Sequence, residues 1–247
     1  MANLVGPRGN WGVIIPSTST TVEHDFAVLR PEGITFHAGR SYIERIGMRT
    51  DDEAIDVLDQ MDASRDLAIR DVMTLRPDHL IVAMSAEIIR NGAEGAKAFI
   101  ADIEDRFGVG VTTGPTAVVA GLQSLGAERI AVLSPYQPVS DERVVHYMGE
   151  VGIEVVRIKG LRCASALAIA NVSVDDRIAA LRELDGADVD AIVQVGTNLP
   201  MIGLVDEAER WLGKPVIAMN SATVWHALRN NGLDDRFSGY GSLLREH

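Results

Sequence analysis

Eight short runs of β-branched and aliphatic residues alternate with longer stretches of helical periodicity, and this alternation confines the chain to one class of fold. The runs are WGVIIPS, GITFHAG, HLIVAMS, GVGVTTG, RIAVLSP, GIEVVRI, DAIVQVG and KPVIAMN. Helical patterns occupy 51–75, 88–107, 115–125, 140–150, 174–184, 201–212 and 221–231. Parallel strands need a long crossover between them, and an amphipathic helix supplies it. LIVAM and AIVQV are apolar nearly throughout, as strands covered on both faces must be. The chain is therefore expected to be α/β with parallel sheets.

The pattern also repeats. GPTAVVAGLQSLGAERI aligns with NSATVWHALRNNGLDDRF, pairing Val118 with Val224, Leu122 with Leu228 and Gly126 with Gly232. GVIIPS resembles IAVLSP, and HLIVAMSAE resembles DAIVQVGTN. Three ordered matches predict two similar Rossmann-like lobes, each with a parallel four-stranded sheet, related by a pseudo-twofold. We expect residues 1–120 plus 221–247 to form the first lobe and 121–220 the second, with the active cleft between them. Ligands of open parallel sheets bind beyond the carboxyl ends of the strands, and domain interfaces are a second preferred location. Both rules point to the same cleft.

Composition narrows the partners. The formal net charge is −12 and no Lys/Arg cluster interrupts it, which argues against nucleic acid. No apolar run approaches the ~20 residues of a membrane helix, and the N-terminus lacks the pattern of a signal peptide. Cys163 is the one cysteine, so no intrachain disulfide forms, and a cytoplasmic location is expected. The six histidines show no metal-ligand spacing, and neither GxxxxGK[ST] nor GxGxxG occurs, so no metal, nucleotide or other cofactor is expected.

The strand ends carry the candidate chemistry. PSTSTTVE places Ser17, Thr18, Ser19, Thr20 and Thr21 after the first strand; one hydroxyl can cap a helix, and five exceed that need. AMSAE supplies Met84, Ser85, Ala86 and Glu87, the glutamate being expected to open a helix and complement its dipole. Tyr136 lies between two prolines in SPYQP, and VGTNL supplies Gly196, Thr197 and Asn198. A strand-to-helix turn at Gly196 would expose amide donors to an anion, and the absent side chain would leave room for a larger substrate or a water. Arg40, Arg45 and Arg49 are expected on the surface, and Cys163 is expected to be a buried or incidental thiol.

Two of these stretches resemble the maleate isomerase and arylmalonate decarboxylase branch of the aspartate/glutamate racemase superfamily. GVIIPSTSTTVEHDF is similar to its opening motif GxxxPSSNTxxE, with Ser19 in the asparagine position. VGTNLPMIGLVDEAERWLGKPVIAMNSATVWHAL is similar to its C-terminal signature. The resemblance covers nearly the whole chain and is weakest in the middle third. It implies a small mono- or dicarboxylate substrate of maleate or malonate type, no cofactor, and a homo-oligomer of two or four chains. Racemases and isomerases of this kind use two cysteines. Their positions map to Met84 and Gly196, so both thiols are missing here, and neither residue can shuttle a proton.

What the resemblance leaves is an anion-binding shell, with Thr18, Ser19, Ala86, Thr197 and Asn198 as substrate-binding candidates and Tyr136 and Ser85 as catalytic ones. Tyr136 is the first choice of proton donor, with Glu87 or His24 as secondary bases. The expected activity is isomerisation or decarboxylation through an oxyanion or enediolate. The alternative is a carboxylate-binding protein or inactive paralogue that keeps the pocket without the chemistry. Hydrolysis through Ser85 lacks a GxSxG pattern.

Overall fold

In the computed structural model, which describes residues 4–247, all eight expected strands are present. They are β1 (Gly9–Pro16), β2 (Ile34–Ser41), β3 (His79–Val82), β4 (Val111–Thr113), β5 (Arg129–Ser134), β6 (Glu154–Gly160), β7 (Ala191–Gln194) and β8 (Val216–Ala218). They form two four-stranded sheets of order β2-β1-β3-β4 and β6-β5-β7-β8, parallel throughout. The second order is the first moved on by four strands, so the repeat in the sequence is a repeat in the fold. Each lobe is α/β.

This order decides where a ligand can sit. From β1 the chain steps to β2 on one side, then returns past β1 to β3 on the other. The loops leaving β1 and β3 therefore diverge and open a crevice at the carboxyl edge of the sheet. β5 and β7 do the same in the second lobe.

The helices are α1 (Val22–Val28), α2 (Asp51–Met73), α3 (Gly92–Phe107), α4 (Gly114–Leu125), α5 (Pro138–Glu150), α6 (Val174–Leu184), α7 (Ile202–Leu212), α8 (Met219–Asn230) and α9 (Ser242–Glu246). Side-chain caps set three starts: Thr50 accepts from the Glu53 N–H, Thr113 from Thr116 and Ser173 from Asp176. Two expectations need correction. The helix placed at 88–107 starts only at Gly92; residues 86–91 form turns, with Glu87, Ile88 and Ile89 all buried in them. Likewise no helix follows Gly196 directly; the chain stays irregular until α7 at Ile202.

Helix α8 crosses between the lobes. Asn220 Nδ2 donates to Asp25 Oδ2 at 2.8 Å and Asn230 Nδ2 to Thr112 Oγ1 at 3.2 Å, tying α8 to the first lobe. In return Gly121 of α4 abuts Leu243 of α9 and Ile217 of β8. Among the described residues no helix is long and apolar enough to cross a membrane.

α2 lies close on the first sheet, an approach that rests on glycines. A Cβ on Gly39 would stand 2.5 Å from Val72 Cγ2 and 2.9 Å from the Ala68 carbonyl oxygen. The backbone oxygen cannot swing aside, so the helix would have to shift. Gly39→Ala is expected to cost about 1–3 kcal/mol of stability, measured as a lowered urea midpoint at unchanged slope.

Candidate active site

The turns that follow β1, β3, β5 and β7 meet at one pocket of about 60 Å³ between the lobes. Thr18 comes from the first turn, Met84 to Glu87 from the second, Tyr136 from the third and Gly196 to Asn198 from the fourth. Apart from Ser140, the other walls are apolar, among them Ile43 and Met48 of the segment before α2, Val57, Leu58 and Met61 of α2 itself, and Ile169 of the second lobe. The segment holding Ile43 and Met48 is clasped across the lobes. The Met48 N–H donates to the Ala164 carbonyl and the Ala166 N–H to the Ile46 carbonyl, both at 2.9 Å, around an antiparallel bridge between Gly47 and Ser165.

The turn after β7 is built around Gly196. Its φ of +91° lies where a side chain is strained. Gln194, buried at the end of β7, fixes the turn by donating from Nε2 to the Val195 carbonyl at 2.6 Å and the Gly196 carbonyl at 2.8 Å. A Cβ on Gly196 would stand 2.6 Å from Pro135 Cγ and 3.3 Å from Tyr136 Oη. This corrects one expectation: the space of the absent side chain is not free for substrate or water, because the Pro135 ring holds it. The N–H groups of Thr197 and Asn198 have no acceptor among the described residues, while the Thr197 carbonyl accepts from Asn220 Nδ2 at 2.9 Å.

Asn198 is mostly engaged in structure. Its Oδ1 accepts from the N–H groups of Thr20 (3.0 Å) and Thr21 (3.3 Å) and from Ser19 Oγ (3.4 Å), and its Nδ2 donates to the Ala166 carbonyl at 3.1 Å. Ser19 does not line the pocket; its hydroxyl donates to Asn198 and accepts from the Val22 N–H. Of the row of hydroxyls, Thr18 alone faces the cavity. Ala86 lines the pocket, and Met84 does so with its side chain fully buried.

Ser85 and Tyr136 meet across the lobes, Oγ to Oη at 2.6 Å. Burial pushes the Tyr136 phenol well above its ordinary value, so it stays protonated and available as a donor. Arg162 holds the loop beneath it, donating to the Tyr136 carbonyl at 2.5 Å and to Asp141 Oδ2 at 2.6 Å. Glu87 is buried within the same pocket. Burial pushes its carboxyl up to about 7, and Oε1 has no hydrogen-bond partner. The sequence does carry a hint of this, a single acid inside the apolar run AMSAEII.

The remaining candidates lie elsewhere. His24 is largely exposed beside Asp25. Cys163 is buried, its thiol pushed up by burial, and its backbone joins Pro135 and Gln137 without lining the pocket. Arg40 donates to the Ser17 and Ser19 carbonyls, and Arg45 pairs with Asp56 at the surface. Among the described residues no lysine or arginine lines the pocket.

The raised Glu87 carboxyl has a consequence for stability. Its folded value, about 7, exceeds the unfolded 4.5. The folded state thus binds the proton more tightly, and that stabilisation is complete below pH 4.5 and lost as pH rises through 7. Relative to Glu87→Gln, the parent should lose on the order of 3 kcal/mol between pH 4.5 and 8. Urea unfolding of both proteins across that range checks it; parallel curves would show a carboxyl with an ordinary value.

The arylmalonate decarboxylase family model matches residues 11–244. The chain is 26% identical over 242 residues to maleate isomerase of Nocardia farcinica, covering 95% of each chain. A structure of that isomerase bearing a covalently bound succinylcysteine intermediate superposes with a TM-score of 0.88 at 25% identity, over 96% of this chain and 98% of that one. A Pseudomonas putida maleate isomerase solved with maleate gives a TM-score of 0.84 at 27% identity, over 95% and 96%. With two parallel four-stranded lobes, a pocket at their shared carboxyl edge and a match along nearly its full length, the chain belongs to the arylmalonate decarboxylase and maleate isomerase family.

Proposed function

We propose that this protein is a cofactor-independent enzyme that decarboxylates or isomerises a small carboxylate through an enediolate, without a catalytic cysteine. The observation that carries this reading is the Ser85–Tyr136 pair at 2.6 Å, lining the same pocket as Thr197 and Asn198, whose N–H groups are unpaired. Neutral donors fixed in a pocket with largely apolar walls are an arrangement suited to charge that develops on an oxygen during reaction. Tyr136, Ser85 and the two amides would hold one carboxylate as its charge grows. Thr18 supports the same anion from the first lobe.

The succinylcysteine of the Nocardia relative has no counterpart in this pocket. Met84 and Gly196 stand at the two turns, and Cys163 lies outside the lining. The reading therefore relies on stabilising the enediolate and on a proton from an oxygen acid. The apolar walls from α2 favour a substrate with one anionic end and an apolar body over a compact dianion.

The absence of any thiol from the pocket also favours a second reading, a protein that binds a carboxylate and releases it unchanged. Incubation with maleate and with phenylmalonate, followed by NMR for fumarate or phenylacetate, separates the two. The enzyme reading expects one conversion at a rate far above background. Tyr136→Phe should lower kcat about 10²–10³-fold with KM little changed. Calorimetric binding of either acid without conversion would establish the binder, and neither binding nor conversion would remove both readings.

A further inference from the structure

The pocket contains an ionisable group that the oxyanion site does not use. Glu87 is 5% exposed, lies on the turn after β3 beside Ser85, and its Oε1 is without a hydrogen-bond partner. The groups that face it are few. Asp62 and Arg65 of α2 act on it in opposite directions, and the Ser85 and Glu87 backbone N–H groups favour its anion. Tyr136 faces it from the other lobe. Arg65 is paired with Asp62 at 2.5 Å, and Arg90 bridges Asp59 and Asp62, so the nearby cations are engaged by other carboxylates and none of them forms an ion pair with Glu87 among the described residues.

An ionised Glu87 would add its charge to that of any anionic ligand in a pocket whose lining holds no cation, so such a ligand favours the neutral acid. An anionic ligand therefore enters while Glu87 is a neutral acid, and every bound substrate sits beside a loaded proton. We propose that Glu87 is the proton donor of this pocket, protonating the α-carbon of a bound carboxylate in place of the missing thiols. The proposal rests on the enzyme reading above. For a substituted malonate, the bond from the α-carbon to one carboxylate breaks and carbon dioxide leaves, its bonding pair passing into the enediolate. That pair then takes the proton from Glu87 at the α-carbon. The glutamate is left as carboxylate and regains a proton from solvent as product departs. Overall one dianion and one proton give one monoanion and carbon dioxide. Burial has placed the carboxyl at about 7, where an acid at neutral pH is both loaded and able to give its proton away.

The probes are phenylmalonate for turnover and phenylacetate for binding and for α-proton exchange in deuterium oxide, with parent, Glu87→Gln and Glu87→Asp compared. In the parent, phenylacetate binding should take up a proton above pH 7, seen by calorimetry in two buffers of different ionisation enthalpy, and affinity should fall about tenfold per pH unit there. Glu87→Gln should bind phenylacetate with no proton uptake and no such pH dependence. Its turnover and exchange should fall about 10²–10⁴-fold, with Glu87→Asp restoring part of the loss. If Glu87→Gln turns over and exchanges within a fewfold of the parent, Glu87 is not the donor and the enzyme reading stands alone. If Glu87→Gln melts at a lower temperature and loses binding together with turnover, the residue is structural and the proposal is overturned. If the parent itself neither binds phenylacetate nor converts phenylmalonate or maleate, the enzyme reading fails and carries this proposal with it.

Discussion

The carboxamide of Asn198 holds the two lobes in register, and the pocket depends on it. One oxygen gathers the Thr20 and Thr21 N–H groups of the first lobe, and the nitrogen reaches back to the Ala166 carbonyl of the second. The Thr21 hydroxyl closes the circuit by donating to the Asn198 carbonyl at 2.9 Å. A planar amide with a donor and an acceptor at fixed separation can serve both partners at once. Thr20 is exposed, while Thr21, Ala166 and Asn198 are buried, so leaving one of their groups unpaired would cost roughly 1–3 kcal/mol. The turn after β1 and the turn after β7 are thus fixed to each other before any ligand arrives.

Around that junction the two halves contribute unlike chemistry on a shared frame. The first lobe brings the carboxyl of Glu87 and the hydroxyls of Thr18 and Ser85. The second brings the phenol of Tyr136 and the amides after Gly196. The clasp between Gly47 and Ser165 and the apolar face of α2 border the space between them. Low polarity strengthens the Ser85–Tyr136 contact and, by the same physics, keeps the Glu87 proton in place.

Much of the fold was legible in the sequence. All eight strands follow from β-branched runs, and both sheets share one order because the sequence repeats. Local pattern failed where tertiary burial overrode it. Ile88 and Ile89 read as helix, yet with Glu87 they lie buried in the turns that precede α3. α1 was hidden behind the row of hydroxyls, which drew attention to capping rather than to the short VEHDFAV that follows. At the site, the segments at strand ends were readable because topology places them there. The pairings were not: Ser85 and Tyr136 are separated by 51 residues, and nothing in Asn198 reveals that its side chain is occupied across the lobes. Ser19 looked equivalent to Thr18 for the same reason.

The contact between Pro135 and Gly196 has a consequence for the history open to this chain. Pro135 Cγ and Cδ stand where a Cβ at 196 would be, and the backbone there has a φ that disfavours any side chain. The two positions are coupled, so the effect of changing one depends on the other. Gaining a cysteine at 196 first passes through an overpacked intermediate; the proline must go before the thiol has anywhere to stand. A lineage that has settled into this arrangement is separated from thiol chemistry by an ordered pair of changes, and selection acting on single substitutions would meet an obstacle at the first step.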